Sequence, residues 1–295
     1  MTVLVVGARG NIGSRVVARL HAAGRAVRAT ARSGAPDRPR PAGSPESPNG
    51  VEGVGAIDVV DLDLTATDGF EAALKDVESV FLYATRGDTT PFLAAAREAD
   101  VRYAVLLSSP ASYEAAEYRG PIGRVHRLNE ERLAASGLEH TVLYPSWLAT
   151  NARRDWGAAI RAGEPVELPY PDANISPIHP DDVAAVAAEL LRDPAHRSRM
   201  QILTGPESLR LDEAAAVVGT TLGRPVDVRR ISRDQALARR EAWLSEEVLA
   251  TLLDSAAATV GHPATLTNGV ERITGRPPRS LREWVEERRT DFGPE

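Results

Sequence analysis

The chain has 295 residues, 43% hydrophobic and 26% charged, which suffices for one large or two modest folded domains and is unlike a disordered, collagenous or coiled-coil sequence. It contains no cysteine, which excludes disulfides, thiolate metal sites and cysteine nucleophiles, and its formal charge of -6 lacks the basic field that nucleic acid or an anionic membrane demands. No apolar run approaches the roughly 20 residues of a membrane span, and the N-terminus has no basic flank or cleavage pattern, so a cytoplasmic protein is expected.

In chain order, Val3–Val6 is a continuous apolar run, Ile12–Ala23 repeats apolar residues at helical spacing, and Ala26–Ala31 reads as a second strand. Ile57–Val60, Ser79–Tyr83 and Tyr103–Leu107 read as further strands, with helices at Phe70–Leu74 and Thr90–Ala99 between them. Arg124–Ala135 is helical, and Thr141–Tyr144 is a sixth strand stopped by Pro145. This alternation predicts an α/β fold, a doubly wound parallel sheet of Rossmann type with helices on both faces. Residues 33–53, dense in Pro, Gly and Ser, read as a surface loop. Downstream, Pro180–Leu191 is a helix with Asp181 and Asp182 in its first turn, Met200–Leu203 a short strand, and Asp212–Leu222 a helix ended by Gly223. The tail, Ser245–Glu287, is mostly helical with Gly-Pro punctuation.

Directly after the first strand comes Gly7-Ala8-Arg9-Gly10-Asn11-Ile12-Gly13, which opens the first helix. A glycine triplet between a strand and a helix lets the backbone approach a pyrophosphate, and the helix N-terminus supplies N–H donors to it. A nicotinamide dinucleotide is the cofactor this predicts. At the end of the second strand an acid would select NAD, but the residues are Thr30-Ala31-Arg32-Ser33. Arg32 and Arg9 can pair with a 2′-phosphate, so NADP(H) is preferred while NAD(H) stays open.

The glycine spacing at 7, 10 and 13 resembles the atypical short-chain dehydrogenase/reductases of the NmrA-like group. Asp63-Leu64, Val80-Phe81-Leu82, Ser108-Ser109, the helix from Glu130 to Leu138, Thr141-Val142-Leu143-Tyr144-Pro145, Asn151 and Ser176-Pro177-Ile178-His179-Pro180-Asp181-Asp182 extend the match. So do Leu203 to Glu207, Thr274 to Pro278 and Trp284, which carries the resemblance over almost the whole chain. It implies an NAD(P)-binding Rossmann domain at 1–150, with a contribution from about 175–204, and a smaller, mostly helical substrate lobe from 151–174 and 205–295. It further implies that Gly7, Arg9, Gly10, Asn11, Ile12, Gly13, Arg32, Asp63, Leu64, Ala84, Thr85, Ser108, Tyr144 and Pro145 bind the cofactor.

The chain also departs from its relatives. Short-chain dehydrogenases use a Tyr-x-x-x-Lys pair for proton relay, but of 35 basic side chains here only Lys75 is a lysine, and Glu71 stands four residues before it. Where many NmrA-like members keep a lysine, this helix carries His126 and Arg127. Two readings follow. One is a nucleotide-sensing regulator that binds a partner protein. The other is a reductase of an acceptor needing little acid help, such as a quinone, whose reduced anion is delocalised. Quinone reductases and aromatic polyketide tailoring enzymes of actinomycetes occur in the group, the latter with the prospect of oxygen as co-substrate and a second tailoring protein. For the reductase, His126, Ser109 and Tyr113 are the catalytic candidates, and Trp147, Asn151 and Tyr118 line the aromatic substrate. His179, before Pro180 at a helix start, reads as structural, and no metal-ligand spacing appears.

Overall fold

The computed structural model describes residues 2–31, 57–66, 68–85, 87–113, 120–242 and 244–293. The elements run β1 (Thr2–Val5), α1 (Gly13–Ala22), β2 (Ala26–Ala31), β3 (Ile57–Asp61), α2 (Phe70–Leu74), β4 (Val77–Leu82), α3 (Thr90–Glu98) and β5 (Tyr103–Leu107). Next come α4 (Pro121–Ala135), β6 (Glu139–Pro145), α5 (Thr150–Ala162), β7 (Val166–Leu168), β8 (Asn174–Ile175), α6 (Pro180–Arg192), β9 (Met200–Leu203) and β10 (Leu209–Arg210). The chain ends with α7 (Leu211–Leu222), β11 (Val228–Arg230), α8 (Arg233–Ala238), α9 (Glu246–Ala258), α10 (Gly269–Thr274) and α11 (Leu281–Glu287).

Seven strands form one sheet in the order β3-β2-β1-β4-β5-β6-β9, and the pairs from β3 through β6 are parallel. Val3, Leu4 and Val5 are wholly buried, as expected of a parallel strand covered on both faces. The strand order grows outward from β1 to β3 and then returns to β4 on the other side of β1. That reversal makes the β1/β4 crevice, outside the carboxyl ends of the strands, the topological switch point where such sheets bind ligands.

The chain folds as two compact units, 1–113 with 123–144 and 183–201, and 114–122 with 145–182 and 202–295. In the first unit Leu4, Phe70, Leu82, Phe92, Leu106 and Leu133 belong to one buried cluster, with Phe70 and Phe92 edge to face at 5.6 Å. In the second, Trp156, Val218, Trp284 and Phe292 belong to another, and β7 pairs with β11 while β8 pairs with β10.

Sequence reading did not anticipate α5 or the strands β7, β8, β10 and β11. In α5 the buried residues are Ala152, Trp156, Gly157 and Ile160, diluted by three arginines. The short strands have two or three residues each and gain their order from partners some 35 to 62 residues away, so they leave no local signal. Helix α4 begins at Pro121, three residues before the expected Arg124. The loop expected at 33–53 lies outside the described residues. No helix among the described residues is long and apolar enough to cross a membrane.

Candidate active site

The loop between β1 and α1 is built by its glycines. Gly7 adopts φ +80, its N–H donates to Thr30 Oγ1 at the end of β2 (3.2 Å), and its carbonyl accepts from Gly10 N (2.9 Å). A Cβ on Gly13 would stand 2.2 Å from the Gly7 carbonyl oxygen, so the helix start touches the loop backbone with no room for a side chain. Buried Arg15 fixes the opposite wall: its Nη1 donates to the Asn11 carbonyl (2.6 Å) and to Asn11 Oδ1 (2.8 Å). Ile12 is buried, while Arg9 and Gly10 are exposed on the rim. A dinucleotide phosphate fits this cradle. Ser14 Oγ, in the first turn of α1, is buried without a hydrogen-bond partner among the described residues, a donor that a phosphate oxygen would satisfy.

The neighbouring strand ends converge on the same edge. Tyr83 follows β4, and its Cβ lies 3.6 Å from where a Gly7 side chain would be. Buried Ala84 and exposed Thr85 come next. After β3, Asp63 Oδ1 accepts from Thr65 N (2.9 Å) in a tight turn, and Leu64 packs on the core. Gly87, with φ +83, approaches this turn so closely that a Cβ would meet the Leu64 carbonyl oxygen at 2.7 Å.

After β5 the chemistry is denser. Ser108 is buried, and its Oγ donates a very short hydrogen bond to Glu130 on α4, itself a buried carboxylate. Arg127 Nη1 stands 3.8 Å from the other Glu130 oxygen. Tyr144, buried at the end of β6, has its phenol pushed far above the ordinary range, first by desolvation and then by the Glu130 charge and by hydrogen bonding toward Tyr113 and Glu130. Tyr113 lies against Tyr144, ring centroids 4.4 Å apart, and is 48% exposed. Desolvation raises its phenol too, hydrogen bonding with Tyr144 opposes, and the Glu130 charge adds.

His126, one turn before Glu130, is buried with its ring 6.3 Å from that of Tyr83. Burial pushes the imidazole below its ordinary value of 6.5, and the Glu130 charge opposes the shift. An unfolded chain protonates this group near 6.5, whereas the folded protein takes the proton only at lower pH. The neutral histidine therefore contributes stability that is complete above about pH 6.5 and is lost as pH falls through the folded value. The melting temperature should drop more steeply from about pH 7 to 5 than that of His126→Asn; equal slopes would contradict a neutral buried imidazole.

The structure thus brings Gly7, Arg9, Gly10, Asn11, Ile12, Gly13, Asp63, Leu64, Ala84, Thr85, Ser108, Ser109, Tyr113, His126 and Tyr144 to one edge of the first unit's sheet. Ser109 Oγ accepts from Ala111 N (3.3 Å), which starts the turn ending at Tyr113. Pro145, Trp147 and Asn151 belong to the second unit, where Trp147 stacks on Trp156 at 5.5 Å and Asn151 lies in the first turn of α5. Arg32 and Tyr118 lie outside the described residues. Lys75 follows α2 just before β4 begins, at the opposite edge of the sheet, its carbonyl taken by Arg28 (2.6 Å). Thr30, Arg15, Tyr83, Asn129 and Glu130 were not singled out from sequence. For α4 a signal existed, because His126, Asn129 and Glu130 share one helix face with the apolar Leu133.

In the second unit, His179, Asp181 and Glu287 bring ligand-type atoms within 4.8 Å of one another. His179 Nδ1 accepts from Asp181 N (3.1 Å), so Nε2 carries the proton and donates to Glu287 (3.2 Å), while Arg279 lies 3.5 Å from Glu287 and 3.8 Å from Asp181. The cluster already holds its cation, as an ion-pair network joining α6 to α11.

A family model described as NAD(P)H-binding matches residues 7–194, from the first glycine of the loop through α6. The chain belongs to the NAD(P)H-binding family. Within it, the chain resembles the NmrA-like, atypical short-chain dehydrogenase/reductases, and its relatives include NAD(P)H-dependent reductases and a nitrogen metabolite regulation-like protein. It is 33% identical, over 99% of its own length and 100% of the relative's, to a (4-alkanoyl-5-oxo-2,5-dihydrofuran-3-yl)methyl phosphate reductase of Streptomyces griseus. It is 28% identical to an NAD(P)H azoreductase of Xenophilus azovorans, over 99% of both chains. Its fold matches the crystal structure of an NADPH-dependent quinone oxidoreductase from Escherichia coli with a TM-score of 0.77, covering 97% and 99% of the two chains at 22% identity.

Proposed function

We propose that the protein is an NADPH-preferring reductase that delivers hydride to a planar conjugated carbonyl, a quinone above all. The reading is carried by the hydroxyl arrangement at the carboxyl edge: the Ser108 proton is committed to Glu130, and the one lysine stands at the opposite edge of the sheet. Such an edge offers aromatic surface and hydrogen bonds but no lysine-assisted acid. It suits an acceptor whose reduced anion spreads its charge over a ring, since positioning and a few donors then suffice. The exposed face of Tyr113, backed by Tyr144, is an aromatic surface for a flat ring. The Streptomyces relative's dihydrofuran substrate and the azoreductase's name support a flat conjugated acceptor as well.

The bound dinucleotide would supply the hydride, two electrons and one proton's worth of hydrogen. The glycine loop with Ser14 would hold its phosphates, and Ala84, Thr85 and Tyr144 would flank it. Hydride addition would leave the quinone as a hydroquinone anion, and Tyr113 O–H, a phenol protonated at neutral pH, would donate the one proton that completes the product. Solvent then restores that proton.

Mixing the protein with NADPH and a panel of naphthoquinones and anthraquinones, and following absorbance at the nicotinamide band, tests the reading. Oxidation well above the protein-free rate is expected, faster with NADPH than with NADH. A rate equal to the blank with every acceptor overturns it in favour of a nucleotide-sensing regulator. Oxygen uptake with a hydroxylated product would add a role in aromatic polyketide tailoring.

A further inference from the structure

Asparagine is a poor residue for the middle of a helix, and a buried one must find partners for three polar positions. Asn129, in α4, is 4% exposed and finds them all. Its Nδ2 donates to the Ala84 carbonyl (3.0 Å) and to the Val125 carbonyl one turn back (3.1 Å), and its Oδ1 accepts from Thr89 Oγ1 (2.9 Å). Thr89 is wholly buried and stands at the N-cap of α3, where a threonine hydroxyl ordinarily accepts from the helix's own backbone. Here it makes no such capping bond and donates to Asn129 instead.

The two bonds grip both ends of one segment. Ala84 opens the connection from β4 to α3 and Thr89 closes it, so one amide on α4 grips its start and its finish, while Arg132 of the same helix holds the stretch before Thr89 through the Gly87 carbonyl (3.3 Å) and Asp88 (3.2 Å). That connection leaves the strand next to β1 at the point where the strand order reverses, and Tyr83 at its root packs against Gly7 of the glycine loop. One wall of the β1/β4 crevice is therefore the glycine loop, held by its own glycines and by Arg15 and Thr30. The facing wall begins at Tyr83-Ala84-Thr85, whose own sequence offers no comparable internal brace among the described residues. The same helix face also carries Glu130, which holds Ser108 at the end of β5.

We propose that Asn129 is a positioning residue for NAD(P)H: by clamping the β4–α3 connection at Ala84 and Thr89, it sets the width of the dinucleotide crevice. It touches neither cofactor nor substrate and acts through the backbone of Ala84. The inference rests on the dinucleotide lying in that crevice and not on the identity of the acceptor.

Asn129→Asp keeps the size and the bond from Thr89 but turns an acceptor toward two carbonyl oxygens. Thr89→Val removes the other grip with no change of shape. NADPH affinity is read by titration calorimetry on the full-length protein, and stability by thermal melting. Asn129→Asp should raise the Kd about 10-fold, the equivalent of about one net hydrogen bond, and Thr89→Val about 3-fold, with kcat at saturating NADPH within about twofold of the parent. Tyr103→Phe is the comparison: it deletes a buried hydroxyl bonded to Thr141 (2.7 Å) at the amino end of β5, and should lower the melting temperature with the Kd unchanged. If Asn129→Asp and Thr89→Val lower stability as Tyr103→Phe does and leave the Kd within about twofold of the parent, Asn129 only stabilises the fold and the proposal is overturned. Should Asn129→Asp fail to fold, Thr89→Val decides alone by the same criterion. A parent that binds no NADPH overturns the crevice assignment together with this inference, whereas tight parental binding with unaffected variants overturns this inference only.

Discussion

Gly13→Val is expected to abolish measurable NAD(P)H binding, a loss of at least about 100-fold. The Gly13 Cβ would stand 2.2 Å from the Gly7 carbonyl oxygen and 2.8 Å from its carbon, and neither atom can yield independently. Gly7 is locked at φ +80, its N–H given to Thr30 and its carbonyl receiving Gly10 N, so relief must come from moving the loop away from the helix. That movement displaces the N–H groups and Ser14 on which a pyrophosphate would rest. Gly24→Asn is the matched comparison: Gly24 has φ +73 with open space around it, and asparagine tolerates that conformation, so binding should match the parent. Retention of the parental Kd by a folded Gly13→Val protein would mean that the cofactor does not use this loop.

Tyr113→Phe should lower kcat and kcat/KM together by about 100-fold, with KM for the quinone nearly unchanged, because it removes a donor and leaves the ring on which the acceptor stacks. Among the three candidates from sequence, burial separates the roles. Tyr113 is 48% exposed, accepts from Tyr144 at its oxygen and gives its own proton to the Met200 thioether (3.7 Å), a weak acceptor that a substrate oxygen would displace. His126 is 8% exposed and held neutral by its surroundings, so His126→Ala is expected to cost mainly stability, and Ser109→Ala, which loosens only a local turn, little of either. A Tyr113→Phe protein that turns over like the parent while His126→Ala loses about 100-fold would move the proton donor to the imidazole.

The sequence by itself determined the sheet and the glycine loop, because both are written in local chemistry. A run such as Val3-Leu4-Val5-Val6 has one stable use, a strand covered on both faces, and three glycines between it and an amphipathic helix leave the backbone one tight path. Strand ends on the carboxyl edge followed from the alternation alone, which is why Ser108, and Tyr113 in the segment after it, could be named as candidates, whereas Tyr144 was implied by the family resemblance. What each of these groups does was decided by the tertiary structure. A serine hydroxyl is donor or acceptor according to its partner, and Ser108's partner, Glu130, is 22 residues away on a helix whose inward face sequence periodicity marks only faintly. Asn129 reaches Ala84 across 45 residues, and Tyr113 meets Tyr144 across the β5/β6 boundary. Burial likewise converts His126 from a titrating surface imidazole into a neutral core group. Long-range pairing and desolvation have no local sequence signature, and they set the direction in which every proton at this site points.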